Sequence, residues 1–267
     1  MRFIQHKAEA YWFYRVVSLG YDRWINPLFW TEAMRDEALA LAALDRPDLT
    51  VADVGAGTGF TTEGIVGAVP AERVTMIDQS PHQLARARGK PVLAGAAKRL
   101  GDAEALPLET DSVDRYVSAG SIEYWPDPQR AIAEAYRVVR PGGIALLIGP
   151  LRRTHPLARR LSDAWMLFPA EDEYTAWMER AGFTDLRRVT VAPPWWREGW
   201  DAYGIAVAGT KPAAGPSALE LPPPREQVDE RLGPGRLARF AVGSLAGAAF
   251  VPVALWFTLR QRLGRRR

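Results

Sequence analysis

The run VADVGAGTGF, residues 51–60, carries an apolar stretch into three glycines, Gly55, Gly57 and Gly59, with Asp53 two residues ahead of the first. Glycines add no side-chain bulk, so a strand ending in such a turn can bring its backbone N–H groups close to a ligand. The nicotinamide-dinucleotide spacing G-x-G-x-x-G fails here, because counting from Gly55 puts Phe60 at the third glycine position. Two more acids follow. Asp78 closes the run ERVTMID, where a carboxylate can accept two ribose hydroxyls, and Asp102 in GDAEALP can accept from an adenine amino group. Singly, each acid also reads as a surface or capping residue, and the glycines as a tight strand-to-helix turn that holds nothing. At successive strand ends of one sheet they converge on the crevice where doubly wound folds bind ligands.

The elements that must position these residues follow from the pattern. Residues 3–44 read as helical: Phe3, His6, Ala10, Phe13 and Val17 recur at helical spacing, and Thr31 is a plausible N-cap for a restarted helix. LTVADV, ERVTMID, VDRYVSAG, IALLIGP and YGIAVAGTK read as strands, with PHQLARAR and PQRAIAEAYRVVR as helices, the second closed by Pro141-Gly142-Gly143. Strands alternating with helices predict a parallel sheet covered on both faces. Residues 151–203 are helical patches rich in aromatics, including Trp165, Phe168, Tyr174, Trp177, Trp195 and Trp196. Lys211 to Arg236, rich in Pro, Gly and charge, reads as a linker.

Composition narrows the chemistry. A chain of 267 residues with 48% hydrophobic and 24% charged residues fits one large domain plus an extension. The absence of cysteine excludes disulfides, thiolate metal sites and a cysteine nucleophile, and His6, His82 and His155 lie too far apart in sequence to suggest a metal site. The net charge of +3 is unevenly spread: residues 225–267 carry nine Arg against Glu226, Asp229 and Glu230. The basic excess therefore belongs to the tail, and a nucleic-acid footprint on the body has little support. The N-terminus lacks the apolar core of a signal peptide and the serine-rich character of a transit peptide, so the body is expected in the cytosol.

Residues 240–259, FAVGSLAGAAFVPVALWFTL, hold no charge and are flanked by Arg236, Arg239, Arg260, Arg262 and Arg265–Arg267, which suits anionic headgroups. The length can span a bilayer, yet Pro252 inside it also fits a bent helix in one leaflet. A buried soluble helix, or a dimer contact through Gly243 and Gly247, is the further alternative.

The series Asp53-Val54-Gly55-Ala56-Gly57-Thr58-Gly59, Asp78 and Asp102-Ala103-Glu104 resembles the S-adenosylmethionine site of class I methyltransferases. That likeness implies an α/β, Rossmann-like class I methyltransferase fold: a mostly parallel seven-stranded sheet with helices on both faces. It implies that Gly55, Ala56, Gly57 and Gly59 lie under the methionine part, that Asp78 with Gln79 holds the ribose, and that Asp102 with the Ala103 backbone reads the adenine. Asp53 and Ser118 complete the expected cofactor set, and no metal is expected. Longer stretches, FIQHKAEAYWFYR, YDRWINPLFWTEAMRD, DQSPHQLA, YVSAGSIEYWPDPQRAI with EAYRV, and WMLFP, resemble the 2-methyl-6-prenyl-1,4-benzoquinol methyltransferases over the whole chain, apolar tail included. Ala56 in place of a further glycine and the RPGG helix ending are its departures.

This narrower resemblance implies methyl transfer from S-adenosylmethionine to a ring carbon of a prenylated benzoquinol in prenylquinone synthesis of the plastoquinone or tocopherol type. The implied layout is an N-terminal helical cap (1–44), a methyltransferase domain (45–210) whose region 151–203 meets substrate or forms a cap, a linker (211–236) and a C-terminal membrane helix with basic flanks (237–267). Residues 240–259 would meet lipid, with the catalytic domain on the cytoplasmic side. Glu123 and Tyr124, at the lip of the site after VDRYVSAG, and His6, on an N-terminal lid, are the candidates for proton transfer; Glu123 and Tyr124 equally fit a helix-start acid and a packing tyrosine. His155 can face the substrate, whereas His82 beside Pro81 fits the surface or cofactor side. The aromatics of 165–203 fit a prenyl channel, a headgroup contact or the core of a cap. Another lipid-phase acceptor, such as a demethylmenaquinol or a sterol, and a non-catalytic membrane-anchored cofactor-binding protein stay open as alternatives.

Overall fold

The computed structural model describes Lys7 and residues 26–197, 199–222 and 234–264. Seven strands form one sheet: β1 (Val51–Val54), β2 (Val74–Asp78), β3 (Ala97–Leu100), β4 (Val113–Ala119), β5 (Val139–Pro150), β6 (Thr184–Val191) and β7 (Gly204–Thr210). Their order is β3-β2-β1-β4-β5-β7-β6, with β7 antiparallel to both neighbours and every other pair parallel. The expected mostly parallel sheet is present. Strand order reverses between β1 and β4, and a doubly wound fold opens its ligand crevice at such a point.

The central strands are apolar on both faces because helices cover both. On one face, Tyr116 and Leu147 pack with Ile132 and Ala135 of α5 (Pro128–Val138) and Tyr174 and Met178 of α7 (Glu171–Ala181). On the other, Val117 and Leu146 meet Met34 and Leu39 of α2 (Glu32–Leu39), Ile65 of α3 (Phe60–Ile65) and Leu84 of α4 (Pro81–Arg88). Adjacent residues of β4 and β5 thus serve opposite cores, as the two-residue period of a strand requires. A four-residue helix α1 (Asn26–Phe29) precedes α2.

Side chains start the helices where expected. Thr31 Oγ1 accepts from Met34 N (3.3 Å), Ser80 Oγ from Gln83 N (3.3 Å), and Asp127 Oδ1 from Arg130 N (3.2 Å). Pro81 and Pro128 occupy the first helical turn, where a missing N–H costs nothing. The helix α5 ends at Val138, and Arg140-Pro141-Gly142-Gly143 already belongs to β5.

The first part of the expected linker is fastened to the body. Lys211 is fully buried and pairs with Asp111 (2.5 Å), its Nζ also donating to Gly215 O (2.7 Å), and Leu219 packs against the core.

The apolar tail forms two helices, α8 (Pro234–Ala248) and α9 (Val251–Gly264), joined by a turn at Ala249–Phe250. Pro252 sits in the first turn of α9, where proline is accommodated. The pair lies on the body. The Phe250 and Trp165 rings stack at 5.9 Å, with Trp165 closing α6 (Pro156–Trp165), and Phe257 meets Trp200 edge-on at 5.2 Å. Gly243 and Gly247, the small-residue stripe that suggested a dimer contact, are both buried within the chain. Leu237–Arg260 is apolar and long enough to cross a membrane by length and composition, and most of it is not buried.

Candidate active site

A cavity of about 990 Å³ opens at the C-terminal ends of β1, β2, β4 and β5. Its volume is at the upper end of the ~300–1,000 Å³ range of ligand sites, room enough for a cofactor and an acceptor together.

The glycine turn forms one wall. Gly55, Gly57 and Gly59 have φ of +71°, +56° and +92°, a region that side-chain-bearing residues rarely adopt. A Cβ on Gly55 would lie 2.2 Å from Ser121 Oγ, whereas one on Gly57 would meet nothing within 4 Å and would project into open space. Ala56 lies outside the left-handed region, and its methyl packs into the core, so alanine substitutes there without strain.

Asp78 faces the turn from the end of β2. Its Oδ2 accepts from Gly57 N and its Oδ1 from Ser80 N, both at 2.8 Å. Desolvation raises its carboxyl pKa, against the pull of the two N–H donors. Each oxygen keeps a lone pair for a vicinal diol. Gln79 lines the cavity beside it.

Asp102 and Ala103 line the next wall. Asp102 Oδ1 accepts from Glu104 N (2.9 Å), and its Oδ2 takes the Lys7 ammonium at 2.6 Å. Lys7 also pairs with buried Glu104 (2.8 Å), whose other oxygen accepts from Asp127 N (2.9 Å) at the start of α5. Burial opposes the Lys7 charge, but the bonds to Asp102 and Glu104 prevail and its pKa is raised. Lys7 is thus fixed beside the expected adenine position. Nothing in the amphipathic pattern distinguishes it from any other lysine.

Three expected cofactor residues do not line the cavity. Asp53 is buried and accepts from Thr62 Oγ1 (2.5 Å), tying β1 to α3; burial, with nearby Asp78, pushes its carboxyl up to about 7. Gly59 lies against Leu93 and Met76, and Ser118 is buried within β4 one residue below Ala119.

Glu123 and Tyr124 both line the cavity, on a 3₁₀ turn (Ile122–Tyr124) after β4. Tyr124 packs with Met166 and Phe168. The Glu123 carboxyl is buried, its Oε2 has no hydrogen-bond partner among the described residues, and desolvation pushes it up to about 8. A carboxyl of that strength titrates in the range useful for proton transfer. His155 also lines the cavity, His82 is exposed and does not, and His6 lies outside the described residues.

The aromatics divide. Tyr174 is fully buried beneath the sheet, its hydroxyl donating to Pro150 O (3.0 Å), and Trp177 packs nearby. Trp165, Phe168, Trp195, Trp196, Trp200 and Tyr203 line the cavity, and Gly247, Phe250 and Val251 of the tail complete that apolar side. Arg153, absent from the sequence-based candidates, is the buried cation among them. An arginine after a strand carries no signal of burial.

The glycine cradle left open at Gly57, the doubly held Asp78 carboxylate and the Asp102–Ala103 wall fit S-adenosylmethionine. A family model described as a methyltransferase domain matches residues 52–147. The chain is 54% identical over 263 residues to the chloroplastic 2-methyl-6-phytyl-1,4-hydroquinone methyltransferase of Arabidopsis thaliana, covering 96% of this chain and 78% of that one. The chloroplastic 2-methyl-6-phytyl-1,4-hydroquinone methyltransferase 2 of Oryza sativa subsp. japonica is 51% identical over 267 residues, covering 98% of this chain and 76% of that one. Among solved structures, geranyl diphosphate C-methyltransferase from Streptomyces coelicolor A3(2), bound to S-adenosyl-L-homocysteine, aligns with a TM-score of 0.57 at 17% identity, over 67% of this chain and 78% of that one, and shows the common fold. The chain therefore belongs to the 2-methyl-6-phytyl-1,4-hydroquinone methyltransferase family, S-adenosylmethionine-dependent enzymes on the class I methyltransferase fold.

Proposed function

We propose that this chain methylates a ring carbon of a 2-methyl-6-prenyl-1,4-benzoquinol in prenylquinone synthesis. The observation that carries the reading is one continuous cavity, polar at Gly57, Asp78 and Asp102 and apolar at Trp165, Phe168, Gly247 and Phe250. A polar cofactor and a lipid-soluble acceptor need those two ends.

S-adenosylmethionine supplies an electrophilic methyl group on its sulfonium. The glycine turn would hold its methionine part, Asp78 the ribose and Asp102 the adenine. Glu123, when ionised, accepts the proton of the ring hydroxyl, which raises electron density at the ortho carbon. That carbon would take the methyl group from the bound sulfonium, whose carbon–sulfur bond would break as the carbon–carbon bond formed. The ring proton then leaves to water, Glu123 returns its proton to the oxygen, and aromaticity is restored. Alignment of the two reactants in this cavity contributes much of the rate, and the base adds ~10²–10⁴-fold.

In this reading Lys7 holds the cofactor side, residues 151–203 wall the acceptor, and the tail rests in one leaflet. Its two helices, of 15 and 14 residues, are each about 22 Å long, short of the ~30 Å hydrocarbon core. Leu245, Trp256 and Leu259 face outward, joined by Leu157 and Trp200 of the body. Aromatic and apolar side chains of this kind suit the interfacial layer. The body lies on the cytoplasmic side of that membrane.

Vesicles holding equal amounts of the prenyl-benzoquinol and a demethylmenaquinol, with methyl-labelled cofactor, test the reading. Label on the benzoquinol supports it; label confined to the naphthoquinol overturns the acceptor class.

A further inference from the structure

Arg153, just beyond β5, is only 6% exposed although it is charged. Its Nη2 donates to Tyr203 O, and its Nη1 has no hydrogen-bond partner among the described residues. The guanidinium carbon lies 5.9, 5.1 and 5.4 Å from the ring centroids of Phe168, Trp196 and Tyr203. Among the described residues no carboxylate forms an ion pair with it: Asp201 contributes only its field, and its Oδ2 accepts from Thr154 N (2.8 Å). Aromatic faces attract a cation but leave its N–H donors unsatisfied. Burial of a charge is tolerated when it is paired and hydrogen-bonded, so a guanidinium held this way is suited to receive an anion.

Arg153 and Glu123 line the same cavity. The strip Leu167–Pro169 touches both: Leu167 N donates to Glu123 O (3.0 Å), and the Phe168 ring faces the Arg153 guanidinium, whose neighbour Arg152 donates its N–H to Pro169 O (2.9 Å). One group can take a proton and the other can hold the charge left behind.

We propose that Arg153 binds the acceptor's ring oxygen and stabilises it as the phenolate during methyl transfer, while Glu123 removes its proton. The assignment rests on the acceptor reading given above and adds a catalytic residue to it. A guanidinium is planar, permanently charged and multiply donating, suited to an anionic oxygen on a flat ring. Donors aimed at developing charge in a water-poor site contribute typically ~10²–10³-fold to a rate.

The test uses the full-length chain in vesicles with a 2-prenyl-4-nitrophenol probe, whose phenolate absorbs in the visible. Wild type should bind the probe with its pKa lowered by about one unit, a tenfold gain in ionisation. Arg153→Met should remove that shift and lower kcat on the order of 100-fold, with cofactor affinity unchanged; Arg153→Lys should restore part of both. Equal ionisation of bound probe in wild type and Arg153→Met, or equal kcat, overturns the proposal. If Arg153→Met does not fold, Arg153→Lys and Arg153→Gln decide it: equal probe pKa values in those two and wild type overturn it. Wild type that methylates no benzoquinol brings down the acceptor reading instead.

Discussion

Gly247 of α8 lies against the indole of Trp165 so closely that a Cβ on it would come within 2.6 Å of indole Cε2. The tail is therefore a wall of the cavity in which the proposed acceptor would bind, as well as a candidate lipid contact. Gly247→Leu should push α8 away from α6, since overpacking costs ~1–3 kcal/mol. The expected outcome is a kcat/KM for the prenylated quinol lowered on the order of tenfold, with cofactor affinity by calorimetry unchanged.

Deleting residues 234–267 should release the chain from vesicles and leave the body folded, because the cores on the two faces of the sheet draw none of the described tail residues. Cofactor binding should persist while activity on the prenylated quinol falls at least tenfold. Loss of the folded body, read by circular dichroism, would contradict this.

Asp78→Ala removes the acceptor that holds Gly57 N and Ser80 N. The cofactor dissociation constant should rise about 10–100-fold, given ~1.5–3 kcal/mol for a hydrogen bond to a charged group. Calorimetric titration with S-adenosylmethionine checks it, and unchanged affinity removes Asp78 from the ribose site.

With Glu123 as the proposed base, stability and activity should move oppositely with pH. Its folded carboxyl titrates at about 8, against 4.5 for an ordinary glutamate. The folded state therefore retains a proton that the unfolded chain sheds above pH 4.5, and stability falls with rising pH until the folded group ionises near 8. Methyl transfer should rise through the same upper value as the carboxylate forms. Glu123→Gln should lower kcat ~10²–10⁴-fold and melt higher than wild type at pH 9, the difference shrinking toward pH 5.

Lys7→Met leaves buried Glu104 without its cation. Breaking a buried pair costs roughly 3–5 kcal/mol, so the urea midpoint should fall. Cofactor affinity should also fall, because Asp102 loses the bond that orients it.

The central sheet was legible in the sequence because β1, β2, β4, β5 and β7 are apolar runs bounded by turns. The other two strands were not. β3, AKRL, and β6, TDLRRVTV, are the sheet's edges; they pair on one side only and are largely exposed, so they have no apolar pattern to display. The glycine turn and Asp78 carried a clear signal, since backbone conformation restricts the residue types there. Asp53 carried the same motif signal yet serves Thr62. Pro252 hinted at the break in the tail, but the packing of α8 on Trp165 was hidden because the helix is apolar on its outward face as well. Lys7 and Arg153 draw their roles from partners about 95 and 50 residues away, beyond any local pattern.

The most direct measurement is the product itself. Full-length protein in vesicles containing 2-methyl-6-prenyl-1,4-benzoquinol, given S-adenosylmethionine with a deuterated methyl group, should yield a quinol bearing that methyl on a ring carbon ortho to a hydroxyl, as located by NMR. A methyl group found on oxygen, or no transfer by protein that binds the cofactor, would contradict the account.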